Sequence, residues 1–449
     1  MDLSPRPLAE AQGGPVPPPP EDRGRGLSRA RSGGTRRPGA FDRFARRGVE
    51  ARLERIGDGT LLLRQGRTLR RFGRESTDGL AADLEVHEPR FWRRLAGGGS
   101  LGAAEAYLDG DWESRDLVAL VRLMARNREA LAGIDSGLAR LGALPARAWH
   151  ELRANSRRGS RRNIEAHYDL GNDFFALFLD GSMTYSAALF ERPGMNLAEA
   201  QLAKIDRLCR KLQLGPDDHL LEIGTGWGAL AIHAATRYGC RVTTTTISPA
   251  QREAALGRIA DAGLSGRVRV LAADYRDLRG TWSKIVSVEM IEAVGHERMD
   301  GYFAALDRLL APDGLVALQA ITIADRNYEA ARRGVDFIQR FVFPGGAIPS
   351  LTSLFTAASR ASRLTPLHVE DLGLHYATTL RLWRHRFEAN LERVRALGFD
   401  ERFVRLWRYY LCYCEGGFLE RAIGDAQILL AGPAFRGETA LGRLESERT

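Results

Sequence analysis

The residues best suited to chemistry lie in Leu220-Leu221-Glu222-Ile223-Gly224-Thr225-Gly226-Trp227-Gly228, where an apolar run with a carboxylate near its end meets three alternating glycines. Glycine is required where backbone must take a positive φ and come close to a ligand. An apolar helical pattern (Leu230, Ala231, Ile232, Ala234, Ala235) follows at once. A strand-to-helix turn of this kind forms the floor of a nucleotide-type pocket. Glu222 sits two residues before the first glycine, where its carboxylate can face a ligand's amino group.

The spacing Gly224-x-Gly226-x-x-Ala229 also satisfies the dinucleotide fingerprint, which requires an Asp or Glu about 20 residues further on to hold ribose hydroxyls. Here the next strand ends Thr243-Thr244-Thr245-Thr246-Ile247-Ser248, without an acid. That disfavours NAD and points to S-adenosylmethionine. As the floor of this pocket we expect Gly224, Gly226 and Gly228.

The elements needed to position these residues can be read from periodicity. Strands are expected at His219–Ile223, Arg241–Ile247, Val268–Ala272, Trp282–Val288 and Leu315–Ile323, with helices at Ala229–Tyr238, Pro249–Ala262 and Asp300–Leu310 between them. Such alternation implies an α/β fold with a doubly wound, parallel, Rossmann-like sheet. Residues 325–432 break the alternation and read as aromatic-rich helices over the substrate side. Trp407, Tyr409, Tyr410 and Phe418 are read there as core rather than tunnel wall, and His167 and His375 as structural.

Toward the N-terminus, residues 1–40 are Pro-, Gly- and Arg-rich with little to bury, and are expected to be disordered. Residues 41–150 read as a small α/β accessory domain, with strand character around Gly59–Arg64 and a helix between Asp116 and Asn127. Residues 151–165, carrying five arginines from Arg153 to Arg162, read as a basic linker. Residues 166–432 form the expected methyltransferase domain and 433–449 a tail.

The net charge of +9 is carried entirely by residues 1–165, the remainder being balanced. Concentrated positive charge suits phosphate-rich partners. Without an RNA-binding or zinc-finger pattern, nucleic acid is the weaker reading and an anionic phospholipid surface the stronger. Cys209, Cys240, Cys412 and Cys414 are too scattered for a disulfide or zinc framework, which fits reduced thiols and a cytoplasmic chain. No apolar run is long enough to span a bilayer. The expected location is therefore the cytoplasm, at the inner face of the membrane and peripheral to it, with a homodimer left open.

From Asn163 onward the chain resembles the cyclopropane fatty acid synthase family of lipid methyltransferases. The resemblance rests on His167-Tyr168-Asp169-Leu170-Gly171-Asn172-Asp173-Phe174-Phe175, Thr184-Tyr185-Ser186, the glycine turn, Thr246–Gln251, Asp274–Leu278, Ser287–Gly295, Phe341–Gly346 and Tyr409-Tyr410-Leu411 with Glu415–Phe418. Glu105-Ala106-Tyr107-Leu108-Asp109-Gly110-Asp111-Trp112 is similar to the accessory domain of two-domain bacterial members.

The resemblance implies methylation of an acyl-chain double bond in phospholipid, with Tyr185 and Ser186 closing over the methionine moiety of the cofactor, Ser248 and Gln251 toward its ribose or methionine, Asp274 with Tyr275 toward its adenine, and Glu222 and Thr246 also in the cofactor site. The resulting carbocation loses a proton to a bound bicarbonate. Glu292 matches the family's acidic ligand to that anion and Tyr376 its tyrosine, while Ile321 and Ala187 would supply backbone N–H groups. Three positions depart from the family pattern: Ala187 replaces a cysteine, Gln319 a histidine, and Ala293-Val294 lacks a further histidine. Glutamine can donate a hydrogen bond to an anion but cannot become cationic. Proton loss from the added methyl closes a cyclopropane, the expected product. Loss from a neighbouring carbon leaves a methyl- or methylene-branched alkene. Oxidation of a methylated chain and a lipid binder without catalysis are the competing readings.

Overall fold

The computed structural model describes residues 39–131 and 170–439. The expected N-terminal tail (but for its last two residues), the basic linker, His167 and the last ten residues lie outside the described residues.

Strands β1 (Gly59–Gln65), β2 (Thr68–Arg74), β3 (Ala81–Val86) and β4 (Trp112–Glu113) form a sheet in the order β2-β1-β3-β4. Leu61 and Leu63 of β1 are buried while Leu62 and Arg64, which alternate with them, are exposed, the alternation of a sheet with one wet face. Helices Ala40–Leu53, Arg90–Leu108 and Leu117–Arg126 accompany this sheet. Asp116 caps the last of these by accepting from the Ala119 N–H, which explains why the helix begins where it does.

The second sheet contains β5 (His219–Ile223), β6 (Arg241–Thr245), β7 (Val268–Leu271), β8 (Trp282–Val288), β9 (Leu310–Ile323), β10 (Thr365–Asp371) and β11 (Ile423–Ala431), in the order β10-β11-β9-β8-β5-β6-β7. The five strands from β9 to β7 are parallel, as expected, but β11 runs antiparallel to both its neighbours. The sheet is thus mixed, and the region read as purely helical supplies two of its strands. The chain order reverses at β5, flanked by β6 and β8, and ligands bind at such a switch point.

One apolar core passes from the first sheet into the residues beyond 170, joining Leu61, Phe72 and Trp92 to Phe174, Trp383 and Trp407. Helix Leu117–Arg126 packs on helix Glu401–Leu419, and Arg122 and Arg126 both reach Glu420, at 2.7 and 2.8 Å. Arg405 donates to Glu113 at 2.8 Å from the other side.

Candidate active site

A cavity of about 820 Å³ opens at the C-terminal ends of β5, β6 and β8. Glu222, Gly224, Gly226, Thr246, Gln251, Asp274 and Tyr275 all line it, and Tyr185 and Ser186 border it. From there it extends past Tyr376 and Phe418 to Trp92, Leu120 and Met124 of the N-terminal region. The apolar extension is what a long hydrocarbon chain requires.

The turn after β5 is held by the Gly224 and Thr225 N–H groups, which donate to the Thr245 carbonyl at 3.0 and 3.1 Å. Gly226 has φ +51°, and a Cβ built there meets nothing within 4 Å, so its bare face looks into the cavity. Glu222 is buried, and its Oε2 has no hydrogen-bond partner. Burial raises its pKa to about 8. A carboxylate held this way fits a cationic ligand, and together with the glycine face it fits S-adenosylmethionine.

A pH prediction follows. Below about pH 8 the empty site holds Glu222 protonated, whereas a cationic ligand favours its ionised form. Binding S-adenosylmethionine should release a proton, so affinity should rise as pH approaches 8 and level off above it. Calorimetry in buffers of different ionisation enthalpy reads that proton directly. Pronounced weakening of binding over the same range would contradict the assignment.

Two expected cofactor residues sit elsewhere. Gly228, at φ +87°, is the left-handed N-cap of helix Ala229–Tyr238, and a Cβ there would lie 3.4 Å from Ala255. Ser248 caps helix Pro249–Asp261 by accepting from the Gln251 N–H. Neither borders the cavity, because each is occupied in starting the helix that follows its strand. Asp274 does border it, but its carboxylate is also held by Arg276, at 2.5 and 2.8 Å, and caps the turn Tyr275–Asp277. Ser186 accepts from Lys204 Nζ at 2.6 Å, and Tyr185 shares a hydrogen bond with Tyr410 at 2.8 Å.

The expected anion-binding residues do converge, but on a side chain of the protein. Glu289 Oε1 accepts from the Ala187 N–H and from Gln319 Nε2, both at 2.8 Å, and Glu289 Oε2 accepts from the Tyr376 hydroxyl at 2.8 Å. Glu292 Oε1 accepts from the Ile321 N–H at 2.5 Å, leaving Oε2 buried without a partner. The implied bicarbonate does not fit this arrangement, because every donor assigned to it is engaged by Glu289 or Glu292. Gln319 stands behind Glu289 rather than in the cavity wall, and also donates to Asp425 at 3.0 Å.

Burial drives the electrostatics of this cluster. It raises the pKa of Glu289, brings Glu292 to about 8, and pushes Asp425 well above the carboxylate range. Lys204, fully enclosed, falls to about 8 and is drawn electrostatically to Glu289, Asp425, Asp180 and Glu222. Glu289 and Lys204 escape sequence reasoning, although Glu289 lies inside the Ser287–Gly295 block and two acids three residues apart after a strand were the available signal. Tyr409, Tyr410 and Phe418 are buried in the apolar core and also border the cavity. Trp407 is core, packed on Phe174 and Phe403. His375 is structural, accepting from the Phe190 N–H.

Fold and site together define an S-adenosylmethionine-dependent methyltransferase. A family profile described as mycolic acid cyclopropane synthetase matches residues 155–428, and the chain belongs to that family. It is 41% identical over 351 residues to the tuberculostearic acid methyltransferase UfaA1 of Mycobacterium tuberculosis, covering 76% of this chain and 82% of the relative. It is 36% identical over 353 residues to the cyclopropane-fatty-acyl-phospholipid synthase of Escherichia coli, covering 78% and 88%. Among solved structures, mycolic acid cyclopropane synthase CmaA1 complexed with SAH and CTAB is 36% identical, with a TM-score of 0.57 over 60% of this chain and 98% of that one.

Proposed function

We propose that the protein transfers a methyl group from S-adenosylmethionine to the double bond of an unsaturated fatty acyl chain in phospholipid, closing a cyclopropane ring. The observation that carries this reading is the continuity of the cofactor floor with a long apolar cavity, in a chain 36% identical to a named cyclopropane-fatty-acyl-phospholipid synthase. When bound, S-adenosylmethionine supplies an electrophilic sulfonium methyl. The chain's own residues do the rest: Tyr185, Tyr376 and Phe418 exclude water, and the aromatic faces around the slot favour developing positive charge. Incubation with methyl-labelled S-adenosylmethionine and vesicles of unsaturated phospholipid tests this. A gain of one CH₂ with loss of the alkene is expected, and unlabelled acyl chains would refute it. A retained alkene would establish the branched product instead.

The membrane part of the proposal rests on the N-terminal region. Among the described residues no helix is long and apolar enough to cross a membrane. Phe41 and Phe44 are 59% and 72% exposed on helix Ala40–Leu53, beside exposed Arg43 and Arg47. The outer face of the β1–β2 hairpin pairs exposed Leu62 with Arg71 and Arg64 with Leu69. Apolar tips among arginines suit the interface of an anionic bilayer. Replacing Phe41 and Phe44 together by Ser should weaken sedimentation with anionic vesicles at least about thirtyfold, since inserting each ring is worth roughly 1 kcal/mol or more. Unchanged vesicle binding would exclude this face.

A further inference from the structure

We infer that Glu289 is a built-in proton acceptor, and that its carboxylate occupies the place a separate anion would take in this site. The inference rests on the methyl transfer proposed above. Three donors from three separate parts of the chain, the Ala187 N–H, the Gln319 amide and the Tyr376 hydroxyl, aim at the two oxygens of this one carboxylate. Glu289 borders the cavity beside Met290 and Glu292. Its backbone has φ +46°, a conformation that side chains other than Gly, Asn and Asp rarely adopt. Strain at such a position persists only where the surroundings enforce it, and it clusters at functional sites. The Glu289 N–H, donating to the Gln319 carbonyl at 2.7 Å, fixes that backbone at the end of β8.

An ionised carboxylate only accepts hydrogen bonds, and three donors pointing at it match that state. The other charged or titratable groups around it are Lys204, Glu292, Asp425 and Tyr376. In the reaction the alkene electron pair forms a bond to the methyl carbon as the methyl–sulfur bond breaks, leaving S-adenosylhomocysteine and a carbocation on the chain. Glu289 then takes a proton from the added methyl, and the C–H electron pair closes the third side of the ring. The proton returns to solvent when product leaves and water re-enters. Gln319 is a positioning residue in this scheme, aiming the carboxylate from behind the cavity wall, and Tyr376 aims it from the wall itself.

The test uses the full-length protein with unsaturated phospholipid vesicles in buffer depleted of carbon dioxide, with and without added bicarbonate. Wild-type turnover should agree within about twofold in the two buffers. Glu289→Gln, which preserves shape, should lose at least about a hundredfold of the rate, the usual scale for a general base. Glu289→Gly, compatible with the positive φ, should be comparably slow but regain activity when formate or bicarbonate is added, and equilibrium dialysis should find formate bound to it and not to wild type. Thermal melting verifies that both variants fold. Methylation by wild type that requires bicarbonate would overturn the inference while leaving the proposed function standing, as would a Glu289→Gly variant active without added anion. Absence of methylation by wild type in every buffer would overturn both.

Discussion

Gly226→Val is expected to abolish S-adenosylmethionine binding while the protein remains folded. Gly226 lies on the cavity wall with φ +51°, and the direction of its missing Cβ is open. A valine there projects two methyl groups into the space the cofactor needs. The left-handed conformation adds a strain of about 1–2 kcal/mol, which a domain of this size can absorb. A loss of at least about a hundredfold in affinity, near 2.7 kcal/mol, is the expected scale. Gly228→Ala provides the contrast, since its Cβ would meet Ala255 at ordinary contact distance away from the cavity and its cost is the strain of φ +87°. That variant should melt earlier yet bind the cofactor with nearly normal affinity. Equal affinities for the two variants would show that the turn has been assigned wrongly.

Lys204→Met should move the acid limb of the pH–rate profile upward. Lys204 is 1% exposed, donates to Ser186, and places its ammonium within electrostatic reach of Glu289, Asp425, Asp180 and Glu222. Burial already raises the Glu289 pKa, and Lys204 opposes that rise. A base works only when deprotonated, so activity falls as pH drops through this raised value. Removing the ammonium raises it further, and each unit corresponds to about 1.4 kcal/mol and a tenfold loss of the active form on the acid side. Methionine fills similar volume but leaves the surrounding carboxylates without their counter-charge, so thermal melting run beside the profile verifies that the variant folds. An unshifted acid limb would show that Lys204 only anchors Ser186.

The framework around the cofactor was legible because local signals agree with the tertiary arrangement. The expected bounds of β5, β8 and helix Ala229–Tyr238 match the structure, since apolar runs, glycine turns and caps coincide there. Strand β11 was not legible. Its run Ile423-Gly424-Asp425-Ala426-Gln427-Ile428 carries polar residues that spoil an apolar pattern, because Asp425 and Gln427 hydrogen-bond to Gln319 in the buried network. Helix periodicity could not separate core from tunnel wall in Glu401–Leu419, since both faces are buried: Trp407 meets Phe174 while Tyr410 meets the cavity. Gly228 and Ser248 look like ligand residues in sequence because caps and phosphate-type turns use the same residue types. The family resemblance singled out Ala187, Gln319 and Tyr376, whose donors the structure brings together. It could not disclose their partner, because a positive φ at Glu289 leaves no mark in the sequence.

The most direct measurement is the isotope content of the acyl product formed from S-adenosylmethionine trideuterated in its methyl group, with unsaturated phospholipid vesicles in buffer depleted of carbon dioxide. Removal of a methyl proton by Glu289 predicts a chain that gains CD₂ and loses its alkene. A chain that retains CD₃, or one that gains no deuterium until bicarbonate is supplied, would contradict the account.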